Sequence, residues 1–445
     1  MITFGNRIEP LTDRYLLDKS ENVTFRINPP VRVQKVLGFD MPWEAPGSLA
    51  NTVFEDNGIV KLYYRGFPGL SHTDADDHQT TCLAVSTDGL HFERVPINEI
   101  EYDGIKENNI LRMDSYSHNF MVFKDTNPGC KPEEAYKAIA GTDVHNGLHV
   151  FGSPDGIHWK EMSDGPVLLY PTQGTFDSMN TAFFDASIGK YRCYSRYFTG
   201  PSYWEGLRAI QSSVSDDFLH WEEQNHNIYT WDNGADPTDQ LYTNAAATIP
   251  GADHMLISFP MRYSETRKKV AEHPDTGVSD AVLMTSRDGI HWDRSVKDAW
   301  LKGGLCRREW TERCFITARG IIRRGDYFYF YTEQNYRWDD DGIWAYSIPL
   351  YRFMSLYADG DGGSFTTKPL HFVSDDIFLN YDTSAYGYVK VTVLDEEGAE
   401  LFRSEEIYGN EISHRLHAEN LSGKTGTMRI ELKEANLYAL GSNMK

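Results

Sequence analysis

Residues 153–159 read Ser-Pro-Asp-Gly-Ile-His-Trp, and this phrase occurs in four versions along the chain. Its Asp-Gly step supplies a left-handed turn position at low cost, and the aromatic residue that follows is suited to packing between sheets. The histidine of the phrase stands at positions 91, 158, 220 and 291, which are nearly evenly spaced. This regular spacing indicates one structural unit repeated along the chain. The other copies stand at 86–92, 215–221 and 286–292.

An apolar run and a tyrosine-rich run precede each copy, as in residues 181–185 and 190–195. We therefore predict that each unit is a four-stranded antiparallel meander, which cannot bury both of its faces alone. Tandem units of this kind are typical of a β-propeller. The sequence predicts an all-β protein with a five-bladed β-propeller over residues 39–365. A small antiparallel β-sandwich is expected over 366–445, and residues 1–38 look irregular and are expected to wrap the propeller.

Composition narrows the class of ligand. The chain has 445 residues, 40% hydrophobic and 24% charged, and its net charge is 43 − 65 = −22. Nucleic acid and anionic membrane surfaces are recognised through basic residues, so neither is an expected partner. Aromatic residues make up 13% of the chain. They suit either the stacking of neutral sugars or the filling of sheet cores, and composition leaves both readings open.

The five cysteines form no Cys-x-x-Cys pair, which argues against a disulfide framework or a zinc site. The N-terminal stretch lacks the apolar region of a signal peptide, and no apolar run is long enough for a transmembrane helix. We therefore expect a cytoplasmic protein with reduced thiols. No nucleotide-binding glycine loop, zinc-protease motif or serine-hydrolase elbow is found.

In a propeller, the start of each blade's innermost strand faces the central funnel. Every predicted blade offers a carboxylate near that point, and like charges in one pocket raise one another's pKa. A neutral acid beside an ionised base is the pair that glycosidic cleavage needs. The other reading is that these acids cap turns or pair with nearby arginines. The predicted catalytic carboxylates are Glu44 and Asp177 first, then Asp239 and Glu312.

Further residues near the same positions are candidates for binding a sugar. The aromatic ones would provide stacking platforms, the amides and the histidine would bond hydroxyls, and the arginines would orient carboxylates. No cofactor and no metal-ligand set is predicted, and a structural channel ion such as calcium is left open. The predicted substrate-binding residues are Trp43, Asp114, His118, Asn119, Asn180, Tyr242, Asn244, Arg262, Trp310 and Arg313.

Several phrases resemble a known superfamily, among them Pro42-Trp43-Glu44 and the stretches 176–180, 241–244 and 259–263. The chain resembles the five-bladed propeller glycoside hydrolases, which include invertase-like and arabinanase- or xylosidase-like enzymes. It is most similar to uncharacterised bacterial invertase-related proteins with a C-terminal β-sandwich. The superfamily places aspartates in blades one and two and a glutamate in blade three. Ala50-Asn51 stands here where the blade-one aspartate is expected, so the triad does not transfer position by position.

The resemblance implies an exo-acting glycoside hydrolase that removes a terminal, furanosyl sugar from an oligosaccharide. Two alternatives remain: a carbohydrate-binding propeller without catalysis, and a phosphate-dependent glycoside phosphorylase. The sugar, the linkage and the stereochemical course stay open at this stage, as does the formation of a homo-oligomer.

Overall fold

The fold was analysed in a computed structural model, which describes residues 1–44, 47–68, 76–202, 204–230 and 239–445. Strands account for nearly all of the regular structure, and the described residues contain no α-helix, so the all-β prediction is confirmed. No described helix is long and apolar enough to cross a lipid bilayer. The short 3-10 helices are Ser115–Asn119, Pro132–Glu134, Asp143–His145 and Arg307–Glu309.

The N-terminal segment 1–38 is built mostly of strands, although the sequence suggested an irregular segment. Four of these strands join the C-terminal sheet, and the fifth becomes the outer strand of the last propeller unit. Their partners all lie in the last quarter of the chain, and so the local pattern gave no sign of the pairing. The strands are β1 (Ile2–Phe4), β2 (Ile8–Pro10), β3 (Leu17–Glu21), β4 (Thr24–Ile27) and β5 (Val31–Gly38).

The first two units are antiparallel meanders of the predicted kind. The strands of unit one are β6 (Asn51–Asp56), β7 (Ile59–Gly66), β8 (Thr80–Ser86), β9 (Glu93–Arg94) and β10 (Ile110–Met113). Those of unit two are β11 (Met121–Lys124), β12 (Tyr136–Ala140), β13 (Gly147–Ser153), β14 (Lys160–Glu161) and β15 (Leu168–Leu169). Unit one has the strand order β10-β8-β7-β6, with β9 beside β8, and unit two has the order β11-β12-β13-β14, with β15 beside β13.

Unit three is the most regular, and unit four is divided between two sheets. The strands of unit three are β16 (Thr181–Asp185), β17 (Lys190–Phe198), β18 (Arg208–Ser215) and β19 (Asn225–His226). Those of unit four are β20 (Ile228–Tyr229), β21 (Gln240–Leu241), β22 (Ala247–Ile249), β23 (Ala252–Ser258), β24 (Met261–Ser264), β25 (Val278–Ala281), β26 (Met284–Ser286) and β27 (His291–Asp293). Unit three has the order β16-β17-β18-β19, and the two sheets of unit four are β20-β27-β26-β23-β22 and β21-β24-β25.

Unit five combines the two ends of the propeller. Its own strands are β28 (Ile316–Thr317), β29 (Ile322–Arg324), β30 (Tyr327–Gln334) and β31 (Gly342–Pro349). The order is β28-β30-β31-β5, with β29 beside β30, so an N-terminal strand completes the last sheet. This pairing closes the ring through backbone hydrogen bonds, with Ile343 opposite Leu37.

Neighbouring units touch in sequence and the last touches the first. Unit one meets unit two where Thr52 approaches the Met121 sulfur, and unit five meets unit one where the Arg319 N–H donates to the Asn51 carbonyl at 2.9 Å. This ring of meander sheets is a propeller arrangement. The number of five blades stays a prediction, because it counts the two sheets of unit four as one blade. The remaining links are Asn119 to Phe176, Thr181 to Asn244 and Ser279 to Cys314.

The repeated phrase forms the predicted turn. In the copy at 153–159, the Ser153 hydroxyl accepts from the Gly156 N–H at 2.9 Å, and Asp155 accepts from the N–H groups of Ile157 and His158. His158 also bonds Asp155 through Nδ1 and stays largely exposed. The histidine of the phrase therefore supports its own turn at the surface.

The C-terminal part is an 11-stranded sheet that also includes β1 to β4. Its own strands are β32 (Met354–Ala358), β33 (Gly363–Thr367), β34 (Leu370–Phe372), β35 (Asp376–Leu394), β36 (Glu400–Arg403), β37 (Asn410–His417) and β38 (Thr425–Gly441). Two long strands, β35 and β38, form its centre and carry an apolar core of their own. All strand pairs of this sheet are antiparallel except β1 with β34, which is parallel. The division of residues 366–445 into a separate antiparallel sandwich stays a prediction.

Candidate active site

Buried asparagines at the starts of the inner strands hold the backbone. Asn119 donates from Nδ2 to the Gly141 carbonyl at 3.0 Å and accepts from the N–H of the same residue at 2.8 Å. Asn180 and Asn244 donate to backbone carbonyls at 2.8 and 2.9 Å. All three side chains are buried. The amide donors of these predicted sugar ligands are therefore bonded to the protein's own backbone.

Glu44, the first predicted catalytic residue, is 0% exposed. Its carboxylate accepts two hydrogen bonds from Arg94, at 2.8 and 2.7 Å, and one from the Tyr64 hydroxyl at 2.5 Å. The neighbouring Trp43 is also buried, and its indole donates to Asn109 at 2.9 Å. In this arrangement both side chains are buried and bonded to residues of unit one.

Asp177 lies at the open side of the ring, with 22% of its side chain exposed. Its carboxylate forms an ion pair with Arg196, and its backbone carbonyl lies 3.1 Å from Nε2 of His118. Burial, together with the charges of Arg65 and Arg313, holds the pKa of His118 well below its usual range. A neutral imidazole therefore lies against the backbone of Asp177, whose carboxylate is paired with Arg196.

Glu312 is a buried carboxyl group, 5% exposed. Burial raises its pKa; Arg313, which donates to Oε1 at 2.5 Å, opposes the shift, and the nearby charge of Asp275 adds to it. Burial alone would also raise the pKa of Asp275, but Arg337 donates to that carboxylate at 2.6 Å and lowers it. The second oxygen of Glu312, Oε2, has no hydrogen-bond partner among the described residues. Two neighbouring carboxyl groups thus have pKa values shifted in opposite directions.

Tyr242 is surrounded by arginines. The guanidinium carbons of Arg196 and Arg208 lie 5.3 and 4.9 Å from the centre of its ring. Burial would raise the pKa of the phenol, but the charges of Arg313, Arg196 and Arg208 outweigh it and lower the pKa. Ser178, next to Asp177, donates to the Tyr242 carbonyl at 2.9 Å and so joins the two sides. The phenol lies in a strongly cationic part of the site.

These contacts bring five of the predicted residues into one region, which we call the central group. It combines two carboxyl groups, a neutral imidazole, a phenol and a guanidinium. Such a set can donate a proton, hold a negative charge and bond hydroxyl groups. The members of the central group are His118, Asp177, Tyr242, Glu312 and Arg313.

Three other predicted residues line a separate cavity of about 590 Å³ beside units four and five, namely Asp239, Arg262 and Trp310. Burial would raise the pKa of Asp239, but Arg294 donates to both of its oxygens at 3.0 Å and lowers it. Arg262 likewise pairs with Asp280 at 2.6 Å. The indole of Trp310 is partly exposed there. The cavity therefore combines a partly exposed aromatic ring with charges that are already paired.

Asp114 is the remaining prediction. It is paired with Arg112 at 2.7 Å at the edge of the ring, and 34% of its side chain is exposed. Its carboxylate is bonded to Arg112, which is not a member of the central group.

Sequence reasoning missed Asp275 and Arg337. Asp275 lies in the loop between β24 and β25, in the stretch His273-Pro-Asp-Thr-Gly277, and not before an inner strand. Catalytic residues are predicted only at positions ahead of an inner strand, and this loop is not one of those positions. A Pro-Asp-x-Gly turn inside an unusually long connection was the available signal.

Within the described ranges, no group of three or more histidine, cysteine, aspartate or glutamate side chains could hold a metal ion.

Comparison with known proteins finds solved structures with a similar fold. No family model matches the chain, and no curated protein matches it. Among solved structures, a protein described as a glycoside hydrolase is 12% identical over 72% of this chain and 92% of its own, with a TM-score of 0.48. A β-1,2-mannobiose phosphorylase from Listeria innocua is 14% identical over 69% and 91%, with a TM-score of 0.43.

A glycoside hydrolase family 43 arabinoxylan arabinofuranohydrolase from Bacillus subtilis spans more of the chain. It is 9% identical over 91% of this chain and 97% of its own, with a TM-score of 0.42. At these identities and scores the likenesses do not argue for an activity. The function has to be argued from the site.

Proposed function

We propose that the protein is a glycoside hydrolase and that Glu312 donates the proton to the leaving group. The observation that carries the proposal is the pair Glu312 and Asp275, whose pKa values are raised and lowered, respectively. A carboxyl group whose pKa is raised by its surroundings is the usual general acid of a glycosidase.

Glu312 has the properties required of a general acid. It is buried, which favours the protonated form, and the carboxylate of Asp275 beside it disfavours a second negative charge. Asp275 keeps its own charge because Arg337 binds it. Asp275 is therefore a positioning residue that acts through Glu312. The unbonded Oε2 of Glu312 is the atom from which the proton would leave.

Asp177 is the second carboxylate of the proposed reaction. It is part of the central group, it is partly exposed, and Arg196 stabilises its negative charge. It would act as the nucleophile or as the base that activates water. A separation of about 5 Å from the acid gives retention, and about 6.5–9.5 Å gives inversion. The anomer released first, followed by NMR, distinguishes these two courses.

We include exo cleavage and a furanosyl substrate in the proposal because the sequence phrases resemble those of the five-bladed propeller glycoside hydrolases. His118, Tyr242 and Arg313 surround the two carboxyl groups and would bond the hydroxyls of a single terminal sugar. A panel of aryl furanosides, aryl pyranosides and fructans tests both features.

The decisive variant is Glu312→Gln, compared with Glu309→Gln. Glu309 is equally buried, 5% exposed, and stands just ahead of Glu312 in the chain, but it pairs with Arg32. Loss of a general acid costs about 10²–10⁴-fold in rate. We expect that loss in Glu312→Gln, greatest for substrates with poor leaving groups, together with loss of the decline in rate at high pH. Equal activity in the two variants would contradict the assignment.

A non-catalytic carbohydrate-binding propeller is the second candidate. The observation in its favour is that buried asparagines stand at the starts of the inner strands, at positions 51, 119 and 180, and are bonded within the protein. No turnover across the panel, with glycan binding that survives Glu312→Gln, would establish this function instead.

A phosphate-dependent phosphorylase is favoured by the arginines close to Tyr242. Arg313 of the central group could contribute to a phosphate pocket, whereas the nearby Arg307 and Arg308 pair with Glu272 and Asp339. Turnover that requires inorganic phosphate would identify this activity.

A further inference from the structure

The axial channel contains an arginine that the proposed reaction does not use. Arg319 follows β28, and its backbone is fixed against unit one: its N–H donates to the Asn51 carbonyl at 2.9 Å, and its carbonyl accepts from the Val53 N–H at 2.8 Å. The side chain reaches across the ring, where its guanidinium carbon lies 5.0 Å from the ring centre of Phe183 in unit three. The guanidinium therefore occupies the space between the inner strands.

Arg319 has no counter-charge. Among the described residues, its guanidinium forms no ion pair and no hydrogen bond, and its buried Nε has no partner. Burial alone lowers its pKa to about 10, so the group remains charged at neutral pH. An unpaired buried charge is costly unless something neutralises it.

Thr317 provides a second, independent observation. It is fully buried, and its hydroxyl has no hydrogen-bond partner among the residues described. Alternate side chains on an extended strand point to the same side, so Thr317 and Arg319 share one face. Thr317 lies opposite Thr332 in the strand pair, and the Thr332 hydroxyl likewise has no partner among the described residues. The segment Thr317–Arg319 thus carries a hydroxyl and a guanidinium Nε that both lack a hydrogen-bond partner among the described residues.

We propose that Arg319 and Thr317 bind a small inorganic anion, such as chloride, in the axial channel. The site offers positive charge and hydrogen-bond donors with no carboxylate among the contacts described for it, which suits an anion and disfavours a cation such as calcium. The apolar ring of Phe183 on the far side suits a weakly hydrated halide. The anion would stabilise the fold, because its binding is coupled to the closed ring of inner strands. The site is independent of the proposed hydrolase activity.

The test is the thermal unfolding of the full chain in chloride, bromide or gluconate at constant ionic strength. We expect the melting temperature of the wild type to rise with chloride or bromide and to saturate, and to stay lower in gluconate. Arg319→Met should abolish the difference between the anions, and Thr317→Val should shift the chloride midpoint several-fold upward. Arg324→Met, which removes a surface arginine of the same unit paired with Glu55, should behave like the wild type.

A chloride response in Arg319→Met equal to that of the wild type would overturn the proposal, as would a wild type that does not distinguish chloride from gluconate. Crystals of the wild type grown in sodium bromide provide a test that needs no variant. An anomalous peak against the Arg319 guanidinium supports the site, and a channel that holds only water there refutes it.

Discussion

Replacing Glu44 by glutamine separates a structural role from a catalytic one. The carboxylate has no exposed surface and accepts from Arg94 twice, from Tyr64 and from the Met41 N–H. A glutamine keeps one acceptor oxygen and turns an NH₂ group toward a donor of Arg94. Breaking a buried charge pair from one side costs about 3–5 kcal/mol. Two hydrogen bonds to charged groups, at about 1.5–3 kcal/mol each, give a similar figure.

The expected shift in melting temperature follows from the size of the chain. At about 2.1 cal/mol/K per residue, 445 residues unfolding together have an entropy of about 0.9 kcal/mol/K. Glu44→Gln should therefore lower the melting temperature by about 3–5 °C in calorimetry. Asp40→Asn is the matched control, because Asp40 binds the same Arg94 at 2.5 Å but is 70% exposed, and surface pairs contribute about 0–1 kcal/mol.

The reasoning is refuted if Glu44→Gln unfolds at the same temperature as Asp40→Asn. A variant that keeps its stability but loses turnover would instead place Glu44 among the catalytic residues, as the sequence suggested. Retained activity in the folded variant at low temperature would support the structural role.

Two further predictions concern the dependence of stability on pH. Burial alone would raise the pKa of Glu9, but His254, Arg287 and Arg7 lower it from 4.5 to about 2. The lowered pKa contributes about 3 kcal/mol of stability, which is present above pH 4.5 and is lost as the pH falls toward 2. Glu9→Gln should therefore unfold at a lower denaturant concentration than the wild type at pH 7, but at the same concentration at pH 2. A difference in stability between variant and wild type that does not change with pH would contradict this prediction. Burial raises the pKa of Asp341 well above its usual range, so its ionisation opposes folding as the pH rises above about 4. Asp341→Asn should therefore stabilise the protein at pH 7 with a gain that shrinks toward pH 4, and a variant less stable than the wild type at pH 7 in urea titrations would count against this.

The sequence predicted the repeating unit because its turn is local. The serine, aspartate and glycine of the phrase at 153–159 make all their defining hydrogen bonds within the phrase itself. The role of β5 could not be predicted in this way. Val31–Gly38 is an outer strand with much of its surface facing solvent, and its partner β31 comes near the other end of the propeller sequence. Local periodicity contains no information on which distant edge a strand will join.

The same distinction holds at the candidate site. Position along the chain correctly indicated which carboxylates stand near the starts of the inner strands, but it could not give the direction of a side chain. Glu44 turns toward Arg94, a residue of β9, and so leaves the funnel. Asp275 arrives from a loop and meets Glu312 through the tertiary fold alone. Residue types at expected positions identified candidates, and the contacts show which of these side chains are bonded within the protein.

The charges of the site also explain why Glu312 is suited to donate a proton although Arg313 binds it. A guanidinium at 2.5 Å would by itself keep a carboxyl group ionised. Burial opposes this, and Asp275 adds a negative charge that is maintained by Arg337. Arg337 therefore raises the proton affinity of Glu312 indirectly, by keeping its neighbour charged. Burial is the largest cause of the raised pKa of Glu312, and Asp275, which Arg337 keeps ionised, adds to it against the opposing charge of Arg313.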